Sequence, residues 1–352
     1  MKYLSVNAAF FLLFFSFWIP AGIFAQDSPG ASSERFRVMF YNVENLFDPY
    51  DDSLTRDEEF TPDGDRYWTN YKFYDKLNKV YKVIMAVGRW ESPALIGLCE
   101  VENRFVLEKL INETPLKGFG YRIVHHESPD RRGIDVALLY REELFEPLYD
   151  EAIGVRFPDD TAYHTRDILY VKGLVGHREM IHVFVNHWPS RYGGYLATVN
   201  RRNTAANILK HHTDSILSVN PNSSVVMMGD FNDGPRDESF TGVLQAVAPS
   251  DPVELKTYYN LMLTEQDDWN FGTLKYRENW DIFDQVVVSG SLLDQKGMDV
   301  FLDKAFIFHE SFLLEDDERY LGIKPFRTFT GFRYNGGFSD HLPIYFDLIF
   351  KD

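Results

Sequence analysis

Short apolar runs separated by polar turns recur along most of the chain, at 35–41, 94–99, 121–125, 135–140, 168–175, 180–187, 224–229, 283–288, 304–309 and 343–350. Some are continuously apolar, as strands covered on both faces are, and others alternate. Two longer stretches follow helical spacing instead. Residues 71–90 place Tyr71, Tyr74, Leu77, Val80, Tyr81, Ile84 and Val87 three and four apart, and residues 197–219 do so with Ala205, Ile208, Leu209, His212, Ile216 and Leu217. Gly176-His177-Arg178 reads as the turn of a hairpin. Helices scattered among many strands predict an α/β protein with mixed sheets. Length alone suggests two domains, but no Pro/Ser/Gly-rich linker interrupts residues 35–352, so a single layered domain is expected.

The amino-terminal segment follows a different pattern. Lys2 precedes an apolar run from Ala8 to Phe24, which ends at Ala25 before polar Gln26-Asp27-Ser28. A basic start, an apolar centre and a small residue before a polar stretch describe a signal peptide over residues 1–25. Residues 26–34 then form a short tether to the domain. The expected location is periplasmic or extracellular.

Composition narrows the class. The chain has 352 residues, 45% hydrophobic and 16% aromatic, enough to bury a large core and to exclude a disordered chain. With 53 acidic and 36 basic side chains the net charge is −17, which argues against a generic polyanion binder. The one cysteine, Cys99, lies in the apolar run Ala94-Leu95-Ile96-Gly97-Leu98-Cys99 and reads as a small buried hydrophobe, so no intramolecular disulfide forms.

Polar residues stand directly at the ends of five apolar runs: Tyr41-Asn42-Val43-Glu44-Asn45, Cys99-Glu100-Val101-Glu102-Asn103, Asn186-His187-Trp188-Pro189-Ser190-Arg191, Gly229-Asp230-Phe231-Asn232-Asp233 and, before the last strand, Ser339-Asp340-His341-Leu342-Pro343. Strand ends hold loop chemistry on a rigid sheet. Two imidazoles with several carboxylates and amides suit metal-assisted hydrolysis of a phosphate ester.

These motifs, above all GDFN at 229–232 with SDHLP at 339–343, resemble the endonuclease/exonuclease/phosphatase family, the DNase I-like superfamily. That group includes secreted DNases, AP endonucleases, neutral sphingomyelinases and inositol polyphosphate 5-phosphatases. The resemblance implies a four-layer α/β sandwich, two mixed sheets face to face with helices outside. It implies that Glu100 binds a divalent metal, Mg²⁺ or else Mn²⁺ or Ca²⁺, with Asn42 beside it and Asp340 as a ligand or close neighbour. His341 matches the catalytic histidine, and Asp284, with Asp281 as the rival, matches the aspartate that orients it. Asp230 would prepare the water or assist the leaving group, Asn232 would donate to phosphate, and His187 would act as general acid or phosphate contact. AP endonucleases usually carry Asn in that region, which disfavours that branch.

Among the nearby basic residues, Arg132 and Arg191 are the best candidates for phosphate contacts. His125, His126, His211 and His212 read as ordinary surface residues. The expected function is an exported bacterial phosphodiesterase with DNA or RNA as substrate. Phospholipid or inositol phosphate is the alternative, and Trp269-Asn270-Phe271 is a candidate lipid-facing hairpin. A catalytically inactive binding module would leave gaps in the motif set, and none is seen. No stable protein partner is implied, and a monomer is expected.

Overall fold

Alternation along the strands places side chains on two different cores. On the strand Ser224–Asp230, Val226 and Met228 join one apolar cluster while Val225 and Met227 join another. Along Asp284–Ser289, Val286 and Val288 face the first cluster and Val287 the second. A strand with both faces covered lies in the middle of a layered protein. The computed structural model describes residues 34–89, 91–263 and 271–351. The signal peptide and most of the tether expected over residues 1–33 lie outside the described residues. Ser33–Asp352 cluster as one unit.

The first sheet contains β1 (Arg35–Leu46), β2 (Leu95–Val101), β3 (Tyr121–His125), β4 (Asp135–Arg141), β13 (Met298–Val300), β14 (Phe306–Ile307) and β19 (Ile344–Phe350). Its order is β13-β19-β1-β2-β4-β3, with β14 also on β19. The second contains β5 (Phe145–Ile153), β6 (Ile168–Val175), β7 (Glu179–His187), β8 (Ser224–Asp230), β9 (Tyr258–Asn260) and β12 (Asp284–Ser289), in the order β5-β6-β7-β8-β12-β9. Each sheet has one parallel pair at its centre, β1 with β2 and β7 with β8. Both are therefore mixed.

The two sheets pack face to face through side chains of β1, β2 and β4 against β6, β7, β8 and β12. Helices α1 (Asn70–Gly88) and α2 (Arg104–Glu113) cover the outer face of the first sheet, and α3 (Tyr195–Val219) covers that of the second. The result is the four-layer sandwich. Three small hairpins lie outside the sheets: β10–β11 (Leu274–Tyr276, Asn279–Asp281), β15–β16 (Leu314–Asp316, Ile323–Pro325) and β17–β18 (Phe329–Thr330, Arg333–Tyr334).

The expected helices start and stop within two residues of α1 and α3. The run at 304–309 shortens to two paired residues, and two elements carry little sequence signal. Helix α2 begins at Asn103, whose side chain accepts a hydrogen bond from the Val106 N–H at 3.1 Å, a local cap. Strand β5 is an edge strand burying only its end residues, and its register shifts at Pro147.

Two glycines mark close approaches. At Gly97 a Cβ would come within 2.8 Å of the Met228 methyl across the sheet interface. At Gly229 it would meet the Asn186 carbonyl oxygen at 2.4 Å, between the parallel strands β7 and β8. A methionine tip can swing aside and a strand backbone cannot. Gly229→Ala is accordingly expected to lower the unfolding free energy by about 1–3 kcal/mol, and Gly97→Ala by clearly less. Equal shifts of the urea midpoint would refute that distinction.

Candidate active site

The carboxyl ends of the two parallel pairs meet at one place. The β1–β2 register steps from Asn42↔Cys99 to Leu46↔Val101, so residues 43–45 face the single residue Glu100. Glu100 is also the extra residue against β4, between Cys99↔Val136 and Val101↔Asp135. Such bulges turn a strand end and aim a side chain. Glu44, Asn45 and Glu100 take left-handed conformations, with φ of 52°, 55° and 60°, as does Asn232 at 52°. Left-handed non-glycine residues gather where function holds them.

A cleft of about 480 Å³ opens over these strand ends. It is lined by Glu100, His187, Asp230, Asn232 and His341, all singled out from the sequence, and its rim includes Arg132. Glu100 receives the Asn45 N–H on Oε2 at 3.0 Å, and its Oε1 lies 3.9 Å from His187 Nε2. His187 Nε2 is also 3.7 Å from Asp230 Oδ2, and His341 Nε2 is 3.8 Å from the same oxygen. His341 Nδ1 is 2.7 Å from Asp284 Oδ2, which fixes the ring with its other nitrogen toward Asp230. Asp281, the rival to Asp284, lies on the β11 strand of the outer hairpin.

Burial and neighbouring charge drive the titrating groups apart. Burial opposes a charged His341, but the facing Asp284 and Asp230 carboxylates overrule it and raise its pKa well above the usual 6.5. His187 goes the other way: burial, then the positive charges of Arg166, Arg132 and His341, push it well below 6.5. Asp230 is raised to about 6, first by burial, with His341 countering and Asp284 reinforcing. Near neutral pH the site therefore holds one imidazolium, one neutral imidazole and an ionised Asp230.

Three expected site residues have protein partners. Asn42 gives its Nδ2 to Asp230 Oδ2 at 3.0 Å and takes the Glu44 N–H on Oδ1 at 3.0 Å, so its amide positions Asp230 from the end of β1. Asp340 accepts from Arg327 Nη2 at 2.9 Å, and the same guanidinium lies 3.3 Å from Glu44. Arg191 is turned away from a phosphate. Its Nε donates to the Asn232 carbonyl at 2.8 Å, and its Nη2 contacts Asp233 and Asp237 at 2.9 and 2.5 Å. It braces the GDFN loop together with Arg202, whose fully buried Nε meets Asp233 at 2.6 Å. Asn232 sits at the cleft with its Nδ2 donating to the Trp188 carbonyl at 3.0 Å.

Several contributors carried no motif. Arg166 donates to the His187 and Trp188 carbonyls and to Asp130 Oδ2, tying the end of β7 to the loop that carries Arg131 and Arg132. Glu44 is buried, accepts the Thr328 N–H at 2.6 Å and lies 3.3 Å from Arg327. Lys76 Nζ donates to Thr328 Oγ1 and the Phe338 carbonyl, both at 2.6 Å. A lysine inside the apolar stripe of α1, between Phe73 and Leu77, was the available signal. His125 is not a surface residue: its side chain is buried against Asp135, 3.1 Å away. Trp269 and Asn270 lie outside the described residues, and Phe271 packs on Trp280 and His309.

Glu100 presents a carboxylate oxygen of the kind hard divalent ions select, and histidine and carboxylate groups converge beside it in Asp230-Asp284-His341. This donor chemistry fits a divalent ion.

Solved structures share the architecture. The catalytic domain of human Nocturnin, solved with a bound sulfate anion, aligns with a TM-score of 0.54 at 15% identity over 90% of this chain and 95% of that one. Truncated TDP2 of Caenorhabditis elegans aligns at 0.53 and 16% over 90% and 98%. The mannosyl-6-phosphatase of Bacteroides thetaiotaomicron aligns at 0.54 and 14% over 90% and 100%. At these identities the likeness is one of fold. No curated protein matches the sequence. The pattern of the Endonuclease/Exonuclease/phosphatase family, however, matches residues 37–349. With that span covering nearly the whole described chain, the protein belongs to the endonuclease/exonuclease/phosphatase family.

Proposed function

We propose that this chain is an exported, divalent-metal-dependent phosphodiester hydrolase in which water attacks phosphorus in line, with DNA or RNA as the leading substrate. The observation that carries the reading is the convergence of His341–Asp284, Asp230, His187 and Glu100 on one cleft. Export rests on the signal-like residues 1–25.

Glu100 would hold the metal, Mg²⁺ or a similar ion, which when bound polarises a phosphate oxygen and offsets charge developing there. Asp230, fixed by the Asn42 amide and the Asn232 N–H, accepts the proton of the attacking water. A pKa of about 6 suits a base that works near neutrality. His341, protonated and aligned by Asp284, donates to the phosphate oxygens as negative charge grows. His187, held neutral, serves as a hydrogen-bond donor to phosphate more readily than as a general acid. Arg132, about half exposed on the rim, supplies a mobile positive charge to an arriving anion.

A second reading is a small phosphoester such as a sugar phosphate. The net charge of −17 and a cleft of about 480 Å³ favour it, and a fold neighbour is named a mannosyl-6-phosphatase. Packing of Phe271 against Trp280 and His309 removes part of the support for a lipid-facing hairpin.

Plasmid DNA, RNA, sphingomyelin, phosphoinositides and sugar phosphates, each assayed with Mg²⁺ and with chelator, separate these readings. Chelator-sensitive nicking of plasmid is expected, and turnover of lipid or sugar phosphate with intact nucleic acid would reject the nuclease. Glu100→Gln should lower kcat on the order of 10²–10³-fold; an unchanged rate on a chromogenic diester would eliminate the metal role. The pH profile of kcat/KM should rise through about pH 6 as Asp230 loses its proton and fall on the alkaline side as His341 loses its own. Asp284→Asn removes a charge that raises the His341 pKa, so the alkaline limb should move to lower pH, with a loss of about 10²–10⁴-fold in rate. An unmoved limb would separate that limb from His341.

A further inference from the structure

The sulfur of Cys99 has more around it than a space-filling residue needs. Cys99 is fully buried on β2, next to Glu100 in sequence and opposite Asn42 on β1. Its Sγ, a ring nitrogen of His187 and a carboxylate oxygen of Asp230 all lie within 4.8 Å of one another. His187 is 4% exposed and Asp230 2%, so all three are beneath the cleft floor or part of it. His187 Nδ1 is buried with no hydrogen-bond partner, so that side of the ring is not held by a second group. On the other side, Glu100 Oε1 stands 3.9 Å from Nε2.

We infer that Cys99, His187 and Asp230 form a thiolate-containing site for a soft divalent cation such as Zn²⁺, and that filling it silences the centre. Sulfur, imidazole and carboxylate together are the donor set that Zn²⁺ accepts in tetrahedral geometry, with bonds of about 2.0–2.3 Å. Ligand atoms around such an ion stand roughly 3.3–3.8 Å apart by that geometry. With the atoms within 4.8 Å of one another, the site is at most about 1.5 Å from closure, the scale of a side-chain adjustment. Water completes the coordination of such a three-residue site, and Glu100 Oε1 stands 3.9 Å from His187 Nε2 at its edge. Binding breaks the Cys99 S–H bond, forms an S–Zn bond and releases one proton to solvent. Mg²⁺ and similar hard ions bind oxygen in preference to thiolate, so Cys99 separates the two kinds of ion. With His187 and Asp230 both engaged, hydrolysis and zinc binding exclude each other; that consequence, though not the site itself, rests on the function proposed above.

The test uses the whole chain with Co²⁺ or Cd²⁺ as spectroscopic probe. Because the sequence has a single cysteine, any thiolate-to-metal charge-transfer band reports Cys99. One equivalent of probe ion should produce the band in the wild type, and Cys99→Ala should abolish it. Zn²⁺ should inhibit the Mg²⁺-supported activity of the wild type, and Cys99→Ala should retain basal activity while needing at least roughly tenfold more Zn²⁺ for half-inhibition. Cys99→Val serves if the alanine variant unfolds, as judged by circular dichroism. A folded wild type that gives no band, or a Cys99→Ala variant inhibited as readily as the parent, would overturn the inference. A wild type with the band and no phosphoesterase activity would instead refute the proposed function and leave the metal site standing.

Discussion

The two halves of the site are joined by the Asn42 amide, which donates to Asp230 at 3.0 Å from the end of one sheet to the end of the other, with the His341–Asp284 contact beside it. Everything else depends on the two sheets meeting in that register. The β1–β2 pair delivers Asn42 and Glu100, the β7–β8–β12 group delivers His187, Asp230 and Asp284, and the segment before β19 delivers His341. Ser339 secures the last of these by donating to the Asn42 carbonyl at 2.7 Å and accepting the His341 N–H at 3.1 Å. A one-residue slip of β1, β2, β8 or β12 in its pairing register would exchange that strand's inward and outward faces and scatter the constellation.

The site's charges are held at the expense of stability. Asp230 and Asp284 are both almost fully buried, and one Asp284 oxygen has no partner. Buried carboxylates of this kind cost several kcal/mol each unless paired. His341 offsets part of that cost by taking a proton it would otherwise not hold, and Asn42 and the Asn232 N–H offset more. Farther out, Arg202 and Arg191 perform the same service for Asp233, so that the loop after β8 is fixed by charges that never reach the cleft. The chain carries an overall charge of −17, yet the cleft lining includes Arg131, Arg132 and Arg166, so the local field at the cleft differs from that of the molecule as a whole.

Much of this was legible in the sequence, for a physical reason. Strands covered on both faces need continuous apolar runs, so polar residues that interrupt them at their ends stand out, and the cleft-lining Glu100, His187, Asp230, Asn232 and His341 were visible in that way. What stayed hidden depends on partners far along the chain. Arg327 meets Glu44 across 283 residues, and Arg166 meets Asp130 across 36. No local pattern distinguishes such arginines from solvated ones, and for the same reason Arg191 looked like a phosphate contact when it is a brace. The protein partners of Asn42 and Asp340, Asp230 and Arg327, were equally hidden, because they too come from far along the chain or from another element. Helix α2 escaped because it is a short element whose cap, Asn103, follows directly on a strand, and β5 because an exposed edge strand has no strong apolar period.

The pairing of β1 with β19 has a consequence for how the protein comes into being. The first strand of the sandwich has its antiparallel neighbour about three hundred residues later, and His341 lies just before that neighbour. During synthesis, every nascent chain that ends before residue 341 lacks both the closing strand and the imidazole. The cleft is thereby incomplete while the chain is being made. Completion of the cleft waits on the strand that closes the first sheet, an order set by the topology itself.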